Sequence, residues 1–172
     1  SYSYSDIIDM GPAGSTITFT DTIPGFASNA AYTISVWTKS GDVVYPYTGK
    51  NNGVWDTANE GTSTIGTNNI TTQETSQVIK GSAAKMTSAV VMSKFAAGNI
   101  YTGDFDQVQV VGGAGAKLNW GIKFAGRPVA MKGYYKYSPV KINYADGSHG
   151  SMKGQMDKCQ IQVALTDNST CS

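Results

Sequence analysis

The stretch KLNWGIKFAGRPVAMKGYYKY, from Lys117 to Tyr137, decides the fold class. Its first half alternates, with Leu118, Trp120, Ile122 and Phe124 on one parity and Lys117, Asn119, Gly121 and Lys123 on the other. Successive side chains of a strand point to opposite faces, so the pattern predicts one buried face and one wet face. After Gly126, Arg127 and Pro128 the alternation resumes, with Val129, Met131, Tyr135 and Tyr137 set against Ala130, Lys132, Tyr134 and Lys136. Pro128 has no amide hydrogen for a ladder, which suits a strand start or an edge. Two neighbouring strands of one sheet are predicted. Trp120, Ile122, Phe124, Met131 and Tyr135 belong in its core, and Asn119, Lys132 and Lys136 belong outside.

The rest of the chain agrees with a β fold. Its 172 residues are enough for one sizeable core and too few for two comfortable ones. Thr, Val, Ile, Tyr and Trp favour strands, whereas Leu and Glu, which favour helices, are scarce. Charged residues make up 15%, with 13 Lys and Arg against 12 Asp and Glu. That balance excludes an electrostatic nucleic-acid binder, which needs a basic patch. No run of ~18 apolar residues is present, so no membrane-spanning helix is expected. The chain begins at Ser1 without a signal-peptide pattern and is expected to be a mature fragment or excised domain.

Working outward, residues 1–14 form a lead-in broken by Gly11, Pro12 and Gly14, and residues 15–172 form a single domain. Strands are predicted at Thr16–Thr20, Ala31–Trp37, Val43–Tyr47, Ala83–Met92, Ile100–Val111, Val140–Tyr144 and Cys159–Leu165, besides the two above. Gly41-Asp42 and Phe95–Asn99 read as turns, and residues 48–82 as a long polar loop segment. Eight to ten short strands without a helical period predict an all-β fold, a two-sheet antiparallel β-sandwich of jelly-roll type. Cys159 shares parity with Ile161, Val163 and Leu165, which predicts a small buried hydrophobe, although pairing with Cys171 is open in an oxidising compartment.

Little catalytic chemistry is written in the sequence. The glycines from Gly112 to Gly115 lack the ending of a phosphate loop and no helix follows, so they read as a hairpin turn. His149 is the sole histidine, and a zinc site needs more His and Cys than the chain has. Carboxylates remain. A glycosidase needs two of them ~5–10 Å apart across the scissile bond. Asp56, Glu60, Asp104 and Asp106 are the candidates. Asp104 and Asp106 share one strand parity and are weak calcium candidates, or simply two solvated carboxylates; no other cofactor is expected.

Sugar recognition needs aromatic faces for CH groups and short polar side chains for hydroxyls. Trp55, beside Asp56, Asn59 and Glu60, offers such a set, unless its ring anchors a loop in the core. Trp37, on the polar parity of its strand, is either an exposed platform or buried under a loop or second sheet. Tyr134 between Lys132 and Lys136 makes a second platform suited to an acidic sugar. Asn69-Ile70-Thr71 and Asn168-Ser169-Thr170 match the N-glycosylation pattern.

The segments Trp55–Gly61 (WDTANEG), Gly81–Ala84 (GSAA), Phe95–Gly103 (FAAGNIYTG) and Arg127-Pro128 through Gly133–Tyr137 (GYYKY) occur in that order. Together they resemble the putative carbohydrate metabolism domain of Bacteroidetes surface and periplasmic proteins, over about residues 20–166. The resemblance implies a jelly-roll module similar to carbohydrate-binding modules, exported to the periplasm or outer-membrane surface as part of a lipoprotein. It also implies a polysaccharide or oligosaccharide partner and other domains in the same full-length protein. Asp21-Thr22-Ile23 and Asp56-Thr57-Ala58 fit the Asp-Thr-aliphatic pattern that this group O-glycosylates. The expected function is a glycan-binding or accessory module of a polysaccharide-utilisation system. The alternatives are a glycoside hydrolase or lyase using the paired carboxylates, and a structural or adhesin domain without a small ligand.

Overall fold

A computed structural model of the chain describes residues 16–21, 29–34, 36–47, 54–66, 69–91, 94–109, 115–124, 128–145 and 147–166. The lead-in, Thr22-Ile23, Gly112-Gly113, Asn168–Thr170 and Cys171 lie outside the described residues.

Among the described residues every strand pairing is antiparallel. In the segment up to Lys136, β1 (Thr16–Asp21) lies between β2 (Asn29–Thr33) and β12 (Pro128–Lys132). A second sheet places β10 (Tyr101–Gln109) between β5 (Trp55–Asp56) and β11 (Gly115–Trp120). Three hairpin pairs complete the set: β3 (Thr38–Ser40) with β4 (Val43–Tyr45), β6 (Thr71–Glu74) with β7 (Ala83–Met86), and β8 (Ala89–Val91) with β9 (Lys94–Ala96). Among the described residues the chain is all-β apart from α1 (Asn59–Thr64) and a 3₁₀ turn at Gly150–Met152.

Pro128 opens β12, opposite Asp21 and next to a register shift, where the missing amide hydrogen costs little. Gly41, with φ +58, turns the chain between β3 and β4. Asn69 holds that hairpin, accepting from Val44 N at 2.8 Å and donating to Asp42 O at 2.8 Å. In β10, Asp106 is the extra residue of a bulge, because Phe105 faces Leu118 and Gln107 faces Lys117. The Asp106 carboxylate meets Lys117 Nζ at 2.7 Å.

Several expectations need correction. The strand through Trp120 and the strand after Pro128 are not neighbours: β11 pairs with β10, and β12 with β1. Both are edge strands of small sheets, so the parity that looked buried is only partly covered. Trp120 is 72% exposed and Tyr135 40% exposed, while Ile122, Phe124 and Met131 are half-buried. Asn119, Lys132 and Lys136 are exposed as expected. Ala83–Met92 is not one strand: it breaks at Thr87, whose N–H donates to Ile70 O at 2.8 Å.

The buried residues come largely from the segment expected to be a loop. Trp55, Asp56, Thr57, Asn59, Thr62, Ile70 and Thr71 are buried there, joined by Ile34, Tyr47, Ser82, Val91 and Tyr101. Half of that core is polar, so hydrogen bonds rather than apolar area decide its geometry.

The segment from Tyr137 onward forms a separate unit. Lys141 bridges to Met156, and Ile142 N donates to Gln155 O at 2.8 Å, with Asp157 N donating to Val140 O at 2.8 Å. Residues 159–165, expected to close a sheet, form no strand among the described residues. Their apolar parity is exposed, and Cys159 is an exposed free thiol rather than a buried hydrophobe.

Candidate functional site

The segment WDTANEG folds around a buried amide. Asn59 is 0% exposed. Its Nδ2 donates to Val44 O at 2.7 Å and to Thr71 O at 2.6 Å, while its Oδ1 accepts from Thr71 N at 2.9 Å. One side chain therefore joins β4, β6 and α1. Apart from Glu60, the helix NEGTST consists of weak helix formers. It starts where Ala58 N donates to Asn99 Oδ1 at 3.0 Å and Asn59 N donates to Thr57 Oγ1 at 3.3 Å. Thr71 Oγ1 donates in turn to Asn99 O at 2.6 Å. Two of the family-like segments, WDTANEG and the AAGN part of FAAGNIYTG, thus meet in space. Gly98 permits this, since a Cβ there would stand 2.7 Å from Thr87 N.

Asp56 connects this hub to the β10 sheet. It is 5% exposed, accepting from Thr57 N at Oδ1 (2.8 Å) and from Phe105 N at Oδ2 (2.7 Å). Burial pushes its carboxyl above the usual range, and the nearby charges of Glu60 and Asp104 push the same way, against the two amide bonds. Tyr101 faces Asp56 across the ladder. It is 6% exposed and its Oη has no hydrogen-bond partner among the described residues, nor has the buried Trp55 Nε1. Burial, followed by the charges of Asp56 and Asp104, drives the Tyr101 phenol far above its ordinary value. Tyr47 behaves alike, through burial and then Asp56. Tyr45 is raised by burial and then by Glu60, whose Oε2 lies 3.5 Å from Tyr45 Oη. Tyr45 and Tyr47 lie with ring centroids 5.1 Å apart.

Above Tyr101 lies Trp120. Their centroids are 5.0 Å apart at 50°, and Trp120 presents its remaining surface to solvent. Gly103 opposes Trp120 in the ladder with φ +127. A Cβ there would stand 2.0 Å from Asn119 O, so only glycine lets β11 approach this closely. Alternation alone assigns Trp120 to the core, whereas among the described residues its ring is backed by Tyr101 and otherwise open.

The structure gathers Trp55, Asp56, Glu60 and Asp104 into one neighbourhood with Asn59 behind them. Asn59 and Trp55 are buried, so neither presents a surface to a sugar. Asp106 is engaged by Lys117. Among the described residues no group of three His, Cys, Asp or Glu is placed to hold a metal ion, which leaves Asp104 and Asp106 without calcium co-ligands there. The other candidates have different surroundings. Trp37 is half-buried and donates from Nε1 to Ile34 O at 3.0 Å. Lys136 Nζ donates to Gln77 Oε1, while Tyr134 and Lys132 are exposed. The modification patterns are occupied by the fold: Asn69 clamps the β3–β4 hairpin, and Thr57 is buried.

A family model described as "Putative carbohydrate metabolism domain" matches residues 26–172. No curated protein matches the chain, and no solved structure does.

Proposed function

Because the chain belongs to the family of the Putative carbohydrate metabolism domain, we propose that it is an exported glycan-binding or accessory module of a cell-surface polysaccharide system, a β-sandwich of jelly-roll type. In this reading it works in the periplasm or on the outer-membrane surface, within a lipoprotein that carries further domains. The observation that carries it is Trp120: an indole largely open to solvent, backed by the Tyr101 ring, with Asp104 following the glycine that opposes it. An open indole backed by a second ring offers a flat apolar face, and a pyranose CH face suits it. The test is a glycan array on the wild type and Trp120→Ala. Loss of binding with an unchanged thermal midpoint supports the reading; binding retained in the variant refutes it.

A second reading, a hydrolase or lyase, draws on Asp56, whose raised carboxyl and like-charged neighbours resemble a general acid. Against it stand the near-complete burial of Asp56 and its two backbone amide donors. Reading the same array for hydrolysis products separates the two.

A further inference from the structure

We propose that the Trp120 site selects a sugar carrying an ammonium group, an amino sugar, over neutral and acidic sugars; the inference rests on the glycan-binding reading above. Its basis is a mismatch of charge around Tyr101. Asp56 faces Tyr101 across β5 and β10, Asp104 follows Gly103 on the same strand, and Glu60 reaches the Tyr45 hydroxyl from α1. None of these three carboxylates has an ion-pair partner among the described residues, while Asp106 on the same strand does. The charges of Glu60 and Asp104 act on Asp56, and all three act on the buried Tyr101 phenol.

The Tyr101 Oη is the second, independent sign of a ligand. It is a buried hydroxyl without a hydrogen-bond partner among the described residues, on the residue whose ring packs against the exposed Trp120 ring. Leaving such a group unsatisfied costs ~1–3 kcal/mol. An ammonium donates three hydrogen bonds and accepts none, so it suits a phenol oxygen and carboxylate oxygens together. It is also attracted to the faces of Trp and Tyr. A divalent cation fits less well, because no three of the carboxylates are grouped closely enough to hold one. A uronic acid would bring a fourth negative charge to the site, which is repelled.

The probes are a glucosamine oligomer, its N-acetylated counterpart and a galacturonic acid oligomer, titrated calorimetrically into the whole chain at pH 5.5 in low salt. The expected result is glucosamine binding about tenfold or more tighter than its acetylated form, shrinking as salt is raised. In the Glu60→Gln/Asp104→Asn variant the two affinities converge to within ~2-fold, because the charge that discriminates them is gone. Tyr101→Phe, which keeps the ring stack, weakens glucosamine binding. Equal affinity for the amino and acetylated oligomers in the wild type overturns the inference while the glycan reading stands. Preference for the uronic oligomer overturns it too. Binding of none of the three, with the array also negative, brings down both. Circular dichroism melts of each variant, matching the wild type, exclude misfolding as the cause of a change.

Discussion

Replacing Asn59 by alanine removes two donated hydrogen bonds and one accepted bond at a side chain with no solvent access. A net contribution of ~1 kcal/mol for each bond gives ~3 kcal/mol. Stranding the Thr71 N–H adds part of a desolvation cost of ~1–3 kcal/mol, because Thr71 is itself fully buried. The sum, ~4–5 kcal/mol, is a large share of the ~5–15 kcal/mol that holds a typical domain folded. For a chain of this size it corresponds to a fall in thermal midpoint of roughly 10–15 °C. Urea denaturation monitored by tryptophan fluorescence and by circular dichroism is the assay. Asn59→Asp should be no better, since it replaces the Nδ2 donor with a buried negative charge facing two carbonyl oxygens. A loss below ~1 kcal/mol for Asn59→Ala would refute the view that this amide organises the fold.

Gly103→Ala should destabilise by ~3 kcal/mol or more, through a strained positive φ and a Cβ overlapping the Asn119 carbonyl; a melt within about 2 °C of wild type contradicts this. Phe124→Ala, at a half-buried position, should cost less than the ~3–5 kcal/mol of a core phenylalanine, and chemical denaturation reads the difference. Glu74 Oε1 accepts from Ser76 Oγ at 2.6 Å and Ser76 N at 2.7 Å, and these bonds hold its carboxyl down to about 2. A lowered carboxyl stabilises above its unfolded value of 4.5, and the effect is lost as pH falls through about 2. Carbon-detected NMR titration of Glu74 should show that midpoint, and one near 4.5 rejects the turn geometry. Asp56 runs the other way. Its raised carboxyl makes the fold lose stability as pH rises through the range just above the ordinary carboxylate value, and Asp56→Asn flattens that part of the pH–stability curve.

The strand content was legible because alternation is a local signal. Thr16–Thr20, Val43–Tyr45, Tyr101–Gln109 and Lys117–Trp120 lie where the pattern puts them. Pairing was not legible, because which edge meets which depends on contacts far apart in the chain; Lys117–Trp120 and Pro128–Lys132 therefore ended in different sheets. The helix at Asn59–Thr64 was invisible for a related reason. Asn, Gly, Thr and Ser carry no helical periodicity, and what starts the helix, Asn99, lies far along the sequence. By composition the same segment reads as a polar loop, because polar residues usually face solvent. A run of Asp, Thr and Asn beside Trp also fits a buried polar hub, and sequence alone does not separate the two. Nothing in the sequence marks Trp120 as a platform, because parity tells which face a side chain takes, not whether anything covers it.

The hub also bears on how the chain reaches this structure. Its hydrogen bonds join residues separated by 12 positions (Asn59 to Thr71), 41 (Ala58 to Asn99) and 49 (Asp56 to Phe105). None of them exists while only one side has been synthesised. A six-residue helix of mostly weak formers is not stable alone, so α1 waits for Asn99, and the charge of Asp56 waits for Phe105. Until then residues 54–82 are an open polar chain with one aromatic residue, Trp55, and little to bury. Loop closure over such spans is slow, and chains of this topology acquire their last order late. The hub is therefore among the last parts of its unit to form, after the local hairpins β3–β4 and β8–β9 that flank it in the sequence.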